Sequence, residues 1–201
     1  MTNRRKVIFV QGHGMSSPTE VNDWPFQLGQ ALKKYDIDFI HLAMPNPMYP
    51  EVNEWVNFLN QQKFDVDLDT YFVGHSLGCI TIARFLEKLP EKNIAGGCVM
   101  VSGFCSFPEV PVLQEFCTRP LDFSLVKKHS RDFVMVVSDN DRVIPPSFSE
   151  ELASKLGAKV IVEHKKGHFV TGTKEIPSVL NSILEIGKIK KKVSIRNLFG
   201  F

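Results

Sequence analysis

The feature that most constrains the fold of this chain is a regular alternation of short apolar runs with helix-forming stretches. The six apolar runs are predicted strands, at residues 7–11, 38–42, 70–74, 97–102, 133–138 and 159–163. Helical patterns lie between or after them, at residues 24–34, 52–62, 77–88, 147–156 and 174–186. Runs that are apolar throughout are typical of parallel strands covered on both faces. The order therefore predicts an α/β fold with about six parallel strands and helices on both faces.

Length and composition indicate one ordinary domain, placed at residues 1–187. The chain has 201 residues, 43% of them apolar, enough for one sizeable core. A net charge of +2 is far from the basic excess of nucleic-acid-binding proteins, so we expect no nucleic-acid partner. The first apolar run is too short for a signal peptide and no run could span a membrane. We therefore expect a cytoplasmic protein without stable membrane insertion.

The cysteines predict neither disulfides nor a metal site. Cys79, Cys98, Cys105 and Cys117 form no C-x-x-C pair and show no zinc-type spacing with histidines. Free cysteines are among the most frequently buried residues, so we expect reduced, buried thiols, as suits a cytoplasmic protein.

Two stretches do not fit the alternation. Residues 104–123 follow the fourth strand and are rich in Phe and Pro. Such an insertion at the carboxyl end of a parallel strand either shapes a substrate pocket or forms a packed connection over the core. Phe104 and Phe107, with Phe169 further along, are the candidates for pocket walls. Residues 188–201 form a basic tail, interpreted as a solvated end, with an anchor to membrane or partner as the alternative.

The strongest local motif is Gly-His-Ser-Leu-Gly at residues 74–78. It matches the G-x-S-x-G nucleophile elbow, and its surroundings match too, since a predicted strand precedes it and a predicted helix follows it. In such a turn the serine is held in a strained conformation above the sheet. Ser76 is therefore the predicted nucleophile.

A serine nucleophile needs a base and a residue that orients the base. In proteins with this kind of nucleophile elbow, the acid precedes the histidine along the chain. Asp139 and Asp141 compete in the loop after the fifth predicted strand. Asp141 is favoured because it lies four residues before Pro145, the usual arrangement in hydrolases. His168 follows the last predicted strand and is the favoured base, with His164 as its competitor.

An oxyanion hole requires two main-chain amides. Leu77, directly after the nucleophile, is predicted to supply one, and His13, between Gly12 and Gly14, the other. The same two glycines do not make a dinucleotide site, because Ser17 stands where the third glycine belongs and the second strand ends without an acid. We therefore expect neither a cofactor nor a metal.

With these motifs the chain resembles the small serine hydrolases of the retinoblastoma-binding-protein-nine and YdeN type, within the α/β-hydrolase superfamily. The likeness spans nearly the whole chain. It lies in the glycine loop after the first strand, in Trp24 at the first helix, and in residues 74–79, 141–145 and 167–169. The chain departs from many relatives at Gln11, where they carry histidine.

The resemblance implies a reduced α/β-hydrolase fold with six parallel strands, little or no lid, and the triad Ser76, Asp141 and His168. We expect a serine hydrolase that cleaves small or medium carboxylic esters through an acyl-enzyme, with a small-molecule ester as its partner. Two alternatives stay open: a catalytically weak binding or scaffold protein on the same fold, and an acyltransferase or thioesterase that uses the same triad. The sequence identifies no protein partner.

Overall fold

One parallel sheet of six strands organises the molecule. The computed structural model describes residues 4–15, 23–106, 111–170 and 172–190. The strands are β1 (Lys6–Val10), β2 (Asp38–Leu42), β3 (Thr70–His75), β4 (Gly97–Val101), β5 (Phe133–Ser138) and β6 (Lys159–Glu163). Their order is β2-β1-β3-β4-β5-β6, and every neighbouring pair is parallel. The predicted parallel sheet is thus confirmed.

Five of the helices lie close to where the sequence pattern predicts them, and the short helices α4 and α5 were not predicted. They are α1 (Trp24–Lys33), α2 (Val52–Gln61), α3 (Leu77–Leu86), α4 (Pro111–Gln114), α5 (Phe123–Lys128), α6 (Pro146–Leu156) and α7 (Pro177–Ile186). Helix α7 begins three residues later than predicted. Pro177 is its first residue, and Ile176 before it has an extended φ of −127° because a residue that precedes proline avoids the helical region.

The sheet is covered by helices on both faces, as predicted. Ile8 and Val10 of β1 point to one face and pack with α2, α3, α5 and α6. Val7 and Phe9 point to the other face and pack with α1 and α7. This alternation along a strand produces two apolar cores, one on each side of the sheet. The outer strand β6 is covered less completely, since Val160 and Val162 are 41% and 48% exposed.

The insertion after β4 is partly folded onto the core. Within residues 104–123, helix α4 continues into a short 3₁₀ turn whose Phe116 is fully buried. The Phe116 ring contacts Trp55 of α2 edge-on, at a centroid distance of 5.8 Å, as is typical of aromatic pairs. Its carbonyl accepts two hydrogen bonds from the buried Arg84 guanidinium of α3, at 3.1 and 2.7 Å. This part of the insertion is therefore the packed connection that the sequence left as an alternative.

The predicted tail begins within the folded domain. Ile189 is partly buried against the α1/α7 core, and its amide donates to the Leu184 carbonyl at 2.8 Å. Residues 191–201, which carry most of the predicted tail, lie outside the described residues. No helix in the described part of the chain is long and apolar enough to cross a membrane.

Candidate active site

The turn between β3 and α3 has the geometry of a nucleophile elbow. Ser76 has φ 51° and ψ −116°, a conformation that non-glycine residues rarely adopt. Its amide donates to the Val101 carbonyl of β4 at 2.8 Å. A Cβ at Gly78 would lie 2.1 Å from the Val10 carbonyl oxygen, and one at Gly74 would lie 2.9 Å from Cys79 Cα. Both glycines are therefore required by close packing, and the turn holds Ser76 above the carboxyl edge of the sheet.

The loop after β1 lies against this serine. A Cβ built on Gly12 would be 3.2 Å from Ser76 Cβ. The Gly14 amide is engaged with the Pro47 carbonyl at 2.8 Å. Among the described residues, no hydrogen bond uses the amides of His13 or Leu77. Since Leu77 is the first residue of α3, its amide has no acceptor within the helix. These two amides are the ones that the sequence predicts for the oxyanion hole.

Asp141 and His168 form a buried pair on the loops after β5 and β6. Nδ1–H of His168 donates to Asp141 Oδ2 at 2.8 Å, and the two side chains are 9% and 1% exposed. The other carboxylate oxygen accepts the amides of Val143 and Ile144 at 2.9 and 3.0 Å. Burial raises the pKa of Asp141, but the hydrogen bonds from His168, Ser102 and Ile144 outweigh it, and the pKa lies below its ordinary value. Asp141 is therefore ionised at neutral pH.

His75 connects the His168 loop to the strand that leads into Ser76. Its Nε2–H donates to the His168 carbonyl at 2.8 Å, and the two imidazole rings are 4.9 Å apart between centroids. On the far side, Trp24 Nε1–H donates to the Phe169 carbonyl at 3.0 Å. Burial and the neighbouring His168 lower the pKa of His75 to about 3, so its ring is neutral. These bonds place His168 beside the residue that precedes Ser76.

The two competing residues lie next to the site and pair with each other. His164 Nδ1 and Asp139 Oδ2 are 2.7 Å apart, with side chains 79% and 41% exposed. The Lys165 amide also donates to Asp139, at 2.8 Å. The hydrogen bonds from Lys165 and His164 hold the pKa of Asp139 below its usual value. This pair lies at the surface, while Asp141 and His168 are buried beside the elbow.

The predicted pocket walls are placed differently from the expectation. Phe104 and Phe169 have no exposed surface, and they pack into the cores on opposite faces of the sheet. Neither ring is available as an open wall for a substrate. Phe107 lies outside the described residues. Whether a residue next to a strand end faces the core depends on the turn that follows, which the Phe-rich composition does not reveal.

Several contacts around the site have no sequence motif. Ser102, at the end of β4, donates its hydroxyl to Asp141 Oδ2 at 2.7 Å. Met48, in the loop after β2, accepts a hydrogen bond from His13 Nε2 at 3.1 Å through its carbonyl. The side chain of Gln11 donates to the Met15 carbonyl across the same loop. A serine at a strand end and a methionine in a loop are too common to be singled out by sequence.

Metal-binding geometry and reactive thiols are not features of the described residues. No group of three or more His, Cys, Asp or Glu side chains there is placed to hold a metal ion. The four cysteines are free, and Cys79, Cys98 and Cys117 are buried. Cys79 lies only three residues after Ser76, but burial raises the pKa of its thiol so far that it stays protonated.

The elbow at the end of β3, followed by acid and histidine after β5 and β6, defines the α/β-hydrolase class of proteins. A sequence profile of the family described as "Serine hydrolase" matches residues 7–182. The chain belongs to this family and is an enzyme of the hydrolase type.

Individual relatives agree with this assignment. YdeN of Bacillus subtilis (strain 168) is 32% identical over 167 residues, which covers 83% of this chain and 86% of YdeN. Serine hydrolase RBBP9 of Rattus norvegicus is 25% identical over 189 residues, which covers 92% of this chain and 98% of the relative. The crystal structure of the B. subtilis ydeN gene product superposes with a TM-score of 0.85 at 28% identity, covering 92% and 99% of the two chains.

A more distant structure shares the fold alone. It comes from a study of carboxylesterases of the thaumarchaeon Nitrososphaera gargenis, and it superposes with a TM-score of 0.69 at 12% identity, covering 92% and 91% of the two chains. The family match and the similarity to YdeN and RBBP9 confirm the resemblance stated from the sequence.

Proposed function

We propose that this serine hydrolase cleaves small or medium carboxylic esters through a Ser76–His168–Asp141 triad and an acyl-enzyme. The observation that carries the proposal is the buried Asp141–His168 pair, at 2.8 Å, held against the elbow strand by His75. In this arrangement His168 carries its proton on Nδ1, which faces the carboxylate. Nε2 is then unprotonated and is the atom that can accept the Ser76 proton.

The proposed reaction has an acylation half and a deacylation half. His168 Nε2 accepts the Ser76 hydroxyl proton while Oγ attacks the ester carbonyl carbon. The amides of Leu77 and His13 donate to the oxygen on which negative charge develops. His168 then protonates the leaving alcohol, and the acyl group stays on Ser76. A water molecule, deprotonated by His168, attacks the acyl-enzyme and releases the acid, while Asp141 stabilises each imidazolium.

Exposed apolar side chains near the strand ends support a moderately apolar substrate. Met48 and Tyr49, in the loop that contacts His13, are 57% and 83% exposed. Val143 and Val170, each two residues from a proposed triad member, are 40% and 50% exposed. Apolar side chains in these positions favour contact with short acyl or alkyl groups. The carboxylesterase that shares the fold is consistent with ester chemistry, and the free, mostly buried thiols agree with a cytoplasmic setting.

The experiment compares wild-type enzyme with Ser76→Ala on p-nitrophenyl esters of increasing acyl length. We expect turnover of short and medium esters by the wild type, and a loss of about 10⁶ in kcat in the variant, as for triad knockouts in a serine protease. A fluorophosphonate probe should label the wild type and not Ser76→Ala. Absence of both labelling and ester turnover in the wild type would favour a scaffold, and faster transfer to added thiols or alcohols than to water would favour an acyltransferase. Efficient turnover of long-chain triglycerides alone would contradict the proposed substrate size.

A further inference from the structure

The strand beside the nucleophile strand ends in a buried serine with an unusual backbone. Ser102 directly follows β4, is 1% exposed and has φ 47°. Its amide donates to the Val136 carbonyl of β5 at 2.9 Å. A non-glycine residue persists in the left-handed region only where its surroundings impose it, and such residues cluster at functional sites.

The same arrangement occurs at Ser76, one strand away. Ser76 follows β3, has φ 51°, and donates its amide to Val101 of the neighbouring strand at 2.8 Å. Two adjacent strands therefore end in the same way, each with a serine whose left-handed backbone turns the chain at the carboxyl edge of the sheet. At Ser76 this turn presents the proposed nucleophile. At Ser102 the turn directs a hydroxyl whose role is indicated by its hydrogen-bond partner.

The Ser102 hydroxyl is a donor to the proposed acid of the triad. Oγ–H donates to Asp141 Oδ2 at 2.7 Å, and the same oxygen accepts Nδ1–H of His168 at 2.8 Å. The other oxygen is occupied by the amides of Val143 and Ile144. The carboxylate is thus held by four donors, two on each oxygen, and Ser102 shares its oxygen with the imidazole.

We infer that Ser102 is a positioning residue that orients Asp141 Oδ2 toward His168 and shares the charge of that oxygen. The inference rests on the proposed function, since it gives Ser102 a role through Asp141. The titratable groups that face this carboxylate are His168 on the loop after β6 and His75 at the end of β3. Without the hydroxyl, the Asp141 carboxylate would lose one of the hydrogen bonds that fix its orientation. Its Oδ2 would also carry more negative charge toward the imidazolium.

The test uses Ser102→Ala and Ser102→Gly, with Ser149→Ala as the matched control. Both Ser102 variants remove the hydroxyl, and glycine also relieves the positive φ. Ser149 is an equally buried serine, 1% exposed, whose Oγ–H donates to the Gly103 carbonyl at 2.7 Å. The measurements are kcat and KM on a short p-nitrophenyl ester, the pH profile of kcat/KM, the Tm, and the NMR signal of the His168 Nδ1 proton in a Ser76→Ala background.

In both Ser102 variants we expect kcat to fall about 10- to 100-fold with KM nearly unchanged, the usual cost of one hydrogen bond to a charged group. The acid limb of the pH profile should move to higher pH, because a carboxylate with one donor fewer stabilises the protonated imidazole better. The His168 Nδ1 proton should shift and exchange faster with water. Ser149→Ala should keep wild-type kcat within about twofold, and none of these signals should move.

Two results would overturn the inference. One is a kcat in both Ser102 variants no lower than in Ser149→Ala. The other is a loss of kcat that follows the Tm while the acid limb and the imidazole proton stay in place, which would leave Ser102 a purely structural role. The NMR signal needs no substrate, so it separates the two proposals. If no ester is turned over but the proton shifts on loss of the hydroxyl, the inference holds and the proposed ester hydrolysis fails.

Discussion

The loops after β5 and β6 are joined by two aspartate–histidine pairs that differ mainly in their surroundings. The carboxylate oxygen and Nδ1 are 2.8 Å apart in Asp141–His168 and 2.7 Å apart in Asp139–His164. The aspartate and histidine side chains are 1% and 9% exposed in the first pair, and 41% and 79% exposed in the second. The distance between the partners therefore does not distinguish them.

The difference lies in what else each pair contacts. Asp141 is held by main-chain amides and by Ser102, and the main chain of His168 is held by His75, next to the proposed nucleophile. The pair is shielded from water, and a hydrogen bond to a carboxylate is stronger in such surroundings than at the surface. Asp139 and His164 stand in solvent, where the interaction is weak and screened. The proposed catalytic role of Asp141 and His168 therefore rests on their burial and on the neighbouring Ser76, and not on the distance between carboxylate and imidazole.

The largest expected difference is between His168→Ala and His164→Ala. Removing His168 takes away the proposed base and should lower kcat by about 10⁶, as removal of the histidine does in a serine protease. Removing His164 should leave kcat within about threefold of wild type. Both are measured with a short p-nitrophenyl ester at saturating concentration. Comparable losses in the two variants would show that the exposed pair takes part in the reaction.

The next difference is between Asp141→Asn and Asp139→Asn. Asparagine at 141 can present its amide N–H to His168 and stabilise the wrong imidazole tautomer, an effect of about 10⁴ in a serine protease. At 139 the same change should cost at most a few-fold, because that carboxylate faces only the exposed His164 and the Lys165 amide. The kcat values of the two variants, with unfolding curves as a folding control, decide the order. The reverse order would make Asp139 the acid.

The loops after β5 and β6 also show which features could be predicted from the sequence and which could not. The strand and helix order, and the elbow, follow from apolar periodicity and from one motif, so both could be predicted. The acids at 139 and 141 lie in one loop, and sequence supplies only a spacing argument to choose between them. Their exposure depends on how the loops after β5 and β6 pack together.

Other features depend on tertiary contacts that no local pattern encodes. Ser102 reads as an ordinary polar residue after an apolar strand, and its contact with Asp141 spans 39 residues. Phe104 and Phe169 were expected at a pocket because they lie near strand ends, but each is turned into a core. The start of α7 at Pro177 was readable in principle from proline chemistry.

The buried His75, which holds the His168 loop, should make the free energy of unfolding depend on pH. In the folded protein burial and His168 lower the pKa of His75 to about 3, against 6.5 for a free histidine, so the unfolded chain binds this proton first. The free energy of unfolding is therefore highest above pH 6.5 and falls as the pH drops from 6.5 towards 3. The share of His75 is at most about 1.4 kcal/mol per pH unit. His41, whose pKa burial lowers to about 4, adds a smaller share in the same direction.

Urea unfolding between pH 7.5 and 5.0 measures this slope. Asp141 does not contribute in this range, since its lowered pKa acts only below the ordinary value of 3.8. His75→Gln, which can keep the N–H donor toward the His168 carbonyl, should flatten the slope. His164→Gln, at an exposed position, should keep it. An unchanged slope in His75→Gln would mean that this ring is not held neutral by the fold.

The smallest effect should be the contribution of the exposed pair to stability. Asp139→Asn and His164→Gln, alone and together, should each change the Tm by only about 1 °C, because the two side chains are 41% and 79% exposed and exposed ion pairs contribute little. The two single variants and their combination form a double-mutant cycle. Asparagine retains an oxygen for the Lys165 amide, so this cycle isolates the contact of residue 139 with the histidine. At about 0.5 M salt, where the screening length is shorter than at physiological strength, any coupling should vanish. A coupling that survives salt would show that Asp139 and His164 form a rigid unit supporting the loop of His168, and the contrast between the two pairs would then be one of position rather than of strength.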